Sequence, residues 1–286
     1  GIFEWGYHRM IRFLVACLMF IGIEARAEIL RLAVTTSFHN SGLADVLLPA
    51  ITADTGIEVQ LLVVGTGQAI RLGQAGDVDA ILVHSKTAED AFLKAGYGTH
   101  RRQIMFNDFV FVGPASDPAN IAKAPDAITA LEQIRQGGAT FVSRGDDSGT
   151  HKKELSLWAA AGADPTQFGR WYNATGASMG AALNTAAGLD AYIMADRASW
   201  LNFGNKQDLL LLYSGDPILF NQYAFIPVNP KLHTHINHHL AKQVEAWLTS
   251  NIAQVLIDGH NIAGEQLFTF NAERYEVLDA AFRLFH

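Results

Sequence analysis

The chain has 286 residues, 49 % of them apolar and 17 % charged, with a formal net charge of −7 at pH 7. So much apolar sequence excludes a disordered chain and suits one large domain or two of ordinary size. The negative balance, without any Lys/Arg cluster, excludes a basic face for nucleic acid; it leaves room for an anionic small ligand, because one arginine and local dipoles override a weak global field.

In chain order, Met10, Ile11 and Arg12 precede an apolar run from Phe13 to Ile23, followed by Glu24 and the A-x-A triplet Ala25 to Ala27. A basic start, a short apolar run and small residues at a cleavage site describe a secretory signal peptide cut after Ala27. Residues 1–9 read as an upstream extension. The stretch Leu14 to Cys17 has the form of a lipoprotein box, but too little apolar sequence lies between it and Arg12. Cys17 is the only cysteine, so an exported chain would lack disulfides and depend on its core alone.

Strand-like and helical stretches then alternate. Ile29 to Val34, Ile57 to Val64 and Asp79 to Ser85 read as buried strands; Leu43 to Gly56, Gly67 to Gly76 and Thr87 to Gly96 read as the helices between and after them. This pattern predicts an α/β fold with a mostly parallel sheet. Asn107 to Pro114 is a fourth strand, and the following residues to Ala127 form a turn-rich loop. A second alternation follows: helix 127–138, strand 139–143, helix 151–162, helix 181–188, strand 191–196, helix 197–204, and strands 209–214 and 223–230. One long helical stretch spans 237–259, and an amphipathic piece spans 275–285. Two successive α/β units suggest two lobes: 28–112 with 222–286, and 113–221. NDFVFVGP and NQYAFIPVNP mirror each other and would form a pair of hinge strands.

Ligands of open α/β sheets bind beyond the carboxyl ends of strands. Four loops there are rich in Ser, Thr and Gly, and each leads into a helix: Thr35 to Gly42, Gly65 to Gln68, Ser143 to Thr150 and Ala174 to Gly180. Helix N-termini offer unpaired N–H donors and a positive dipole end. Glycine permits close backbone approach, hydroxyls add neutral donors, and Arg144 adds one full charge with a directed fork. Four such junctions around one cleft would cage a tetrahedral anion. Taken singly, each Ser or Thr is also an ordinary N-cap. Asp146 and Asp147 are expected to brace the loop and the helix dipole rather than hold a metal.

Other motifs are weaker. Gly176 to Gly180 matches G-x-S-x-G, which makes Ser178 the candidate nucleophile of a secreted serine hydrolase, but Trp171 to Thr175 makes a poor buried strand ahead of it. No P-loop occurs, and Gly65-Thr66-Gly67-Gln68 lacks the third glycine of a dinucleotide fingerprint. His233, His235, His238 and His239 read as a solvated helix end; no H-E-x-x-H accompanies them.

Five stretches, TTSFHNSGLADVLLPAI, VGTGQAIRLGQAGDVDAILVHS, MFNDFVFVGPASDPANI, FVSRGDDSGTHKKELSLW and AYIMADRASWL, together resemble the periplasmic substrate-binding proteins of tungstate ABC transporters. The similarity is collinear from about Ile29 to Pro230. The resemblance implies a two-lobed type II binding-protein fold, each lobe a mostly parallel sheet flanked by helices, joined by two hinge strands. It implies a monomeric periplasmic receptor rather than an enzyme, without cofactor, that closes on tungstate or molybdate and delivers it to a membrane permease. A phosphate or sulfate receptor of the same fold is the alternative. The implied threonine/serine loop is Thr35, Thr36 and Ser37; the arginine loop is Arg144 with Ser148 and Thr150. Gly65, Thr66, Gly67, Gly149 and Ser178 complete the expected ligand set from the junctions. The chain departs from the family pattern in having Val34, Phe38 and Asn40 where Thr, Thr and Asp are usual.

Overall fold

The computed structural model describes residues 27–273. The expected leader with Cys17 and the amphipathic piece at 275–285 lie outside the described residues. Among the described residues no helix is long and apolar enough to cross a membrane.

The first unit runs β1 (Glu28–Thr35), α1 (Thr36–Asn40), α2 (Leu43–Thr55), β2 (Ile57–Val64), α3 (Thr66–Ala75), β3 (Ala80–Val83) and α4 (Lys86–Lys94). β1 pairs in parallel with both β2 and β3. Strand periodicity sorts its side chains: Leu30, Leu32 and Val34 enter one core, Ala33 the other. β3 repeats this, with Ala80 and Leu82 on one side and Ile81 and Val83 on the other. A sheet buried on both faces therefore carries helices on both.

The second unit runs α5 (Ala127–Gly137), β5 (Phe141–Ser143), α6 (Gly149–Ala160), β6 (Tyr172–Ala174), α7 (Met179–Leu189), β7 (Tyr192–Asp196), α8 (Arg197–Asn202) and β8 (Leu209–Tyr213). β5 pairs in parallel with β6 and β7. Ile193 and Ala195 face one core with Val142, while Tyr192 and Met194 face the other with Phe141 and Trp158. This is the two-lobed α/β architecture expected from the sequence.

Two long strands join the lobes. β4 (Arg102–Pro114) precedes the second unit, and β9 (Phe220–Pro227) returns from it. β9 lies antiparallel to β3 and to the first part of β4. β4 changes partners between Asp108, opposite Phe220 of β9, and Phe109, opposite Asp196 of β7. The exchange falls ahead of the expected boundary at 112/113. The path β2-β1-β3-β9-β4-β7-β5-β6 makes one continuous sheet.

Because β9 and β4 each lie antiparallel to the parallel strands beside them, β1–β3 run toward the crossover from one side and β5–β7 from the other. The carboxyl ends of both sets therefore meet around Asp108, Phe109 and Phe220. This register turns the polar junctions of the two lobes toward one crossover.

The first lobe is completed by α9 (His238–Leu248), α10 (Asn251–Gly259), β10 (Asn261–Ile262), β11 (Glu265–Gln266) and β12 (Thr269–Phe270). The single helical stretch expected over 237–259 is two helices. It breaks at Thr249, and the Ser250 hydroxyl accepts from the Ala253 N–H at 3.2 Å to start the second. β4 also begins five residues before the expected Asn107, because Arg102 and Gln103 pair with β9 despite their polar side chains. The histidine cluster lies at the solvated end expected, with His235 and His239 exposed, but two of its rings also make specific contacts. His233 Nε2 lies 2.9 Å from the Gln74 carbonyl and His235 Nε2 lies 2.7 Å from the Gly76 carbonyl, so both imidazoles bind the C-terminal carbonyls of α3. No metal-holding group of His, Cys, Asp or Glu occurs among the described residues.

Candidate functional site

Each expected junction forms, but they differ in kind. Thr35 is buried at the end of β1 and its Oγ1 accepts from the Phe38 N–H at 3.3 Å, capping α1. Five residues give little dipole, so this corner offers hydroxyls rather than a helix end. Thr36 and Ser37 are exposed. Ser37 Oγ lies 3.1 Å from Thr35 Oγ1, and 3.3 Å from both His84 Nε2 and Tyr223 Oη.

The second junction is a true helix N-terminus. Gly65 precedes the ten-residue α3 in extended conformation, and no side chain caps the helix. The first-turn N–H groups of Thr66 and Gly67 have no partner within the helix. A methyl-sized Cβ at Gly67 would stand 3.5 Å from Arg71 Nη1; Arg71 itself is drawn to Gln68 Oε1, at 3.0 Å from Nε and 2.7 Å from Nη2.

In the second lobe two junctions are knitted together. Ser148 Oγ accepts from the His151 N–H at 3.2 Å and starts α6, with Gly149 exposed and Thr150 buried in its first turn. The Thr175 N–H donates to the Ser143 carbonyl at 3.0 Å, and the Ala177 N–H donates to the Arg144 carbonyl at 3.1 Å. Those bonds set the N-terminus of α7, at exposed Ser178, beside that of α6. Gly145 adopts a φ of +58° here, and a Cβ on it would stand 2.9 Å from the Ala174 Cβ. Only glycine combines that conformation with that approach.

Arg144 is 16 % exposed. Its Nη2 donates to Asp146 Oδ2 at 2.6 Å and its Nε to the Ala177 carbonyl at 3.3 Å. Asp146 Oδ1 also accepts from the Ser148 N–H at 3.2 Å. Burial alone would raise the Asp146 carboxyl; hydrogen bonds from Ser148 and the charge and hydrogen bond of Arg144 outweigh it and hold the group below its ordinary value. Asp146 therefore braces the loop, as expected. Asp147 points into solvent with its side chain 85 % exposed. Beneath the loop, buried Glu154 accepts from Ser143 Oγ at 2.7 Å, Trp158 Nε1 at 3.0 Å and Tyr172 Oη at 2.6 Å. Three donors satisfy this carboxylate and tie α6 to the end of β5, immediately before Arg144.

Three site residues escaped the sequence reading. His84 follows β3, at the same strand-to-helix position as the four junctions. Tyr223, on β9, is fully buried against Phe38 and His84, its ring 4.7 Å from the imidazole. Asn221 is within hydrogen-bonding reach of His84. A lone histidine before a helix and a tyrosine in an apolar strand carry no motif; only the sheet register brings them behind Ser37.

Ser178 as a nucleophile finds no support in the geometry. No imidazole hydrogen-bonds to it among the described residues, and β6 is a three-residue edge strand separated from it by a loop. Surface cavities of about 600 Å³, beside Asp126 and Asp216, and about 490 Å³, beside Arg31 and His235, are lined by no residue of the four junctions. The sheet register turns the junctions of both lobes toward the crossover of β4 and β9.

The PBP superfamily domain matches residues 24–251. This chain belongs to the PBP superfamily. Among PBP superfamily relatives, the tungstate-binding protein TupA of Peptoclostridium acidaminophilum is 46 % identical over 88 % of this chain and 88 % of that protein. A solved structure of the tungstate-binding protein TupA from Desulfovibrio alaskensis G20 is 44 % identical, covers 86 % of this chain and 100 % of that one, and superposes with a TM-score of 0.83. A structure described as the tungstate ABC transporter from Geobacter sulfurreducens is 44 % identical over 81 % of this chain and 98 % of that one, with a TM-score of 0.67.

Proposed function

We propose that the chain is an extracytoplasmic substrate-binding receptor, not an enzyme, that captures tungstate between its lobes and delivers it to the membrane permease of an ABC transporter. Molybdate, of nearly the same size and charge, is the second ligand of the same site. The observation that carries this reading is the sheet register, which turns two Ser/Thr/Gly junctions of each lobe toward one crossover with Arg144 as the guanidinium among them. The tungstate-binding relatives supply the identity of the anion.

In this reading Thr35, Thr36 and Ser37 contribute hydroxyls, and Gly65, Thr66 and Gly67 contribute backbone N–H groups from the first lobe. Arg144, Ser148, Gly149, Thr150 and Ser178 answer them from the second. Tungstate is a bare dianion near neutral pH and needs donors only, whereas hydrogen phosphate also needs an acceptor. The carboxylate within reach, Asp146, is already engaged by Arg144 and Ser148. Hydrogen bonds to charged groups contribute about 1.5–3 kcal/mol each, so six or seven donors would reach the roughly 12 kcal/mol of nanomolar binding after the costs of ordering and closure. Binding selects a closed arrangement of the lobes about β4 and β9. The signal-like N-terminus and the receptor family both favour a periplasmic location; in this reading the receptor works as a monomer.

Titration calorimetry with tungstate, molybdate, sulfate and phosphate tests the assignment. One-to-one binding of tungstate and molybdate is expected, and the absence of binding to all four would overturn it.

A further inference from the structure

His84 stands outside the ring of expected ligand groups, yet its Nε2 is 3.3 Å from Ser37 Oγ. The arrangement becomes informative when protons are counted. A serine hydroxyl has one proton to donate and two lone pairs that accept. Ser37 Oγ has Thr35 Oγ1, His84 Nε2 and Tyr223 Oη around it, and its side chain lies at the cleft surface.

Tyr223 keeps its proton throughout the neutral range. Burial pushes the phenol up to about 12, against its hydrogen-bond contacts with Ser37, Thr35 and Asn107. Fully buried, it must spend that proton on a neighbouring oxygen, and Ser37 Oγ is one. Thr35 Oγ1 accepts from the Phe38 N–H, and its own proton has the Tyr223 oxygen within reach, so Ser37 need not accept it. The remaining variable is the His84 ring. Burial holds this imidazole below its ordinary value, against hydrogen bonds to Asn221 and its own backbone, so it is neutral at pH 7 and carries a single ring proton. Were Nε2 bare, it would draw the Ser37 proton inward and leave serine lone pairs facing the cleft. A dianion would then meet acceptors.

We propose that His84 is a positioning residue for the anion site: its Nε2–H donates to Ser37 Oγ, and together with the Tyr223 hydroxyl it fills both serine lone pairs, so that the only proton of Ser37 points into the cleft. The inference rests on the receptor reading above and gives it a selectivity device. The first-lobe corner becomes donor-only, which suits a fully deprotonated tetrahedral dianion and leaves no acceptor for the hydrogen of hydrogen phosphate.

Nitrogen NMR of the unaltered chain, labelled with ¹⁵N-histidine and saturated with tungstate, reads the tautomer directly. A proton on His84 Nε2 is expected; a proton on Nδ1 with bare Nε2 overturns the inference. Calorimetry of two variants gives the second readout. In His84→Leu, which fills the space without a donor, tungstate affinity should fall about tenfold and the preference over phosphate should narrow. In His84→Gln the side-chain amide can donate to Ser37 and should recover most of that loss. Equal affinities in both variants, whether at the unaltered level or equally reduced, overturn the inference, since space-filling alone would not separate Gln from Leu. If the Leu variant does not fold, the tautomer decides alone. Failure of the unaltered chain to bind tungstate would instead remove the receptor reading.

Discussion

Arg144 is held by Asp146, two residues on, through a 2.6 Å hydrogen bond from Nη2 to Oδ2. With Nε on the Ala177 carbonyl, two sides of the guanidinium are fixed by the protein and its charge is partly balanced before any ligand arrives. The arginine thus acts as an oriented fork more than as a free charge. Arg144→Lys keeps the charge but loses the planar fork that reaches Asp146, Ala177 and an anion in fixed directions. Tungstate affinity should fall ten- to a hundredfold, by about 1.5–3 kcal/mol, with the melting temperature within a few degrees of the parent. Unchanged affinity by calorimetry would contradict this role.

Gly145 tests whether the two second-lobe loops must touch. Alanine there would carry a left-handed φ of +58° and press its Cβ to 2.9 Å from that of Ala174. Backbone strain of about 1–3 kcal/mol would be relieved by parting the loops, which separates the α6 and α7 N-termini. Gly145→Ala should weaken tungstate binding by about tenfold or more and lower the urea midpoint modestly. A variant of full affinity would show that the loops act independently.

At the crossover, Arg197 makes a paired contact with Asp108: Nε to Oδ1 at 2.6 Å and Nη2 to Oδ2 at 2.7 Å. Asp108 ends the part of β4 that pairs with β9, while Arg197 opens α8 directly after β7, so the pair spans the exchange of sheet partners. Both side chains are largely buried. Removing one partner strands the other charge, so Asp108→Ala should cost about 3–5 kcal/mol of unfolding free energy. Chemical denaturation checks this, and a loss below about 1 kcal/mol would mean that the hinge does not depend on the pair.

How much of this was legible from the sequence varies by element. β1, β3 and β7 were readable because burial on both faces leaves an apolar run with small loops at its ends. β4 was half readable: Asn107 to Pro114 is apolar, but Arg102 and Gln103 look like loop until β9 supplies partners. The arginine loop was readable because its residues are contiguous. His84 and Tyr223 were not, since the sheet register that brings them behind Ser37 is a tertiary relationship between Val83 and Ala224. The carbonyl contacts of His233 and His235 were hidden for the same reason; those carbonyls lie 159 residues away in sequence.

Glu89 gives the fold a pH signature apart from the cleft. Its side chain is fully buried on α4, Oε2 has no hydrogen-bond partner, and Oε1 lies 3.3 Å from Arg101 Nε. Burial raises the carboxyl to about 7, against the charge and hydrogen bond of Arg101. The folded chain thus retains a proton that the unfolded chain releases near 4.5. This contribution to stability is fully present below about pH 4.5 and is lost as the pH rises toward 7. The stability difference between the parent and Glu89→Gln should therefore shift against the parent by on the order of 3 kcal/mol between pH 4 and pH 8. Urea unfolding at a series of pH values measures it; a difference independent of pH would contradict the account.

The central claim is that donors from both lobes, with one oriented guanidinium, replace the water around a bare dianion. Competition calorimetry on the chain beginning at Glu28, with tungstate titrated in the presence of phosphate at neutral pH, tests it most directly. The account predicts one tungstate per chain, displaced by molybdate and left in place by a large excess of phosphate. Phosphate binding as tight as tungstate, or no tungstate binding, would contradict it.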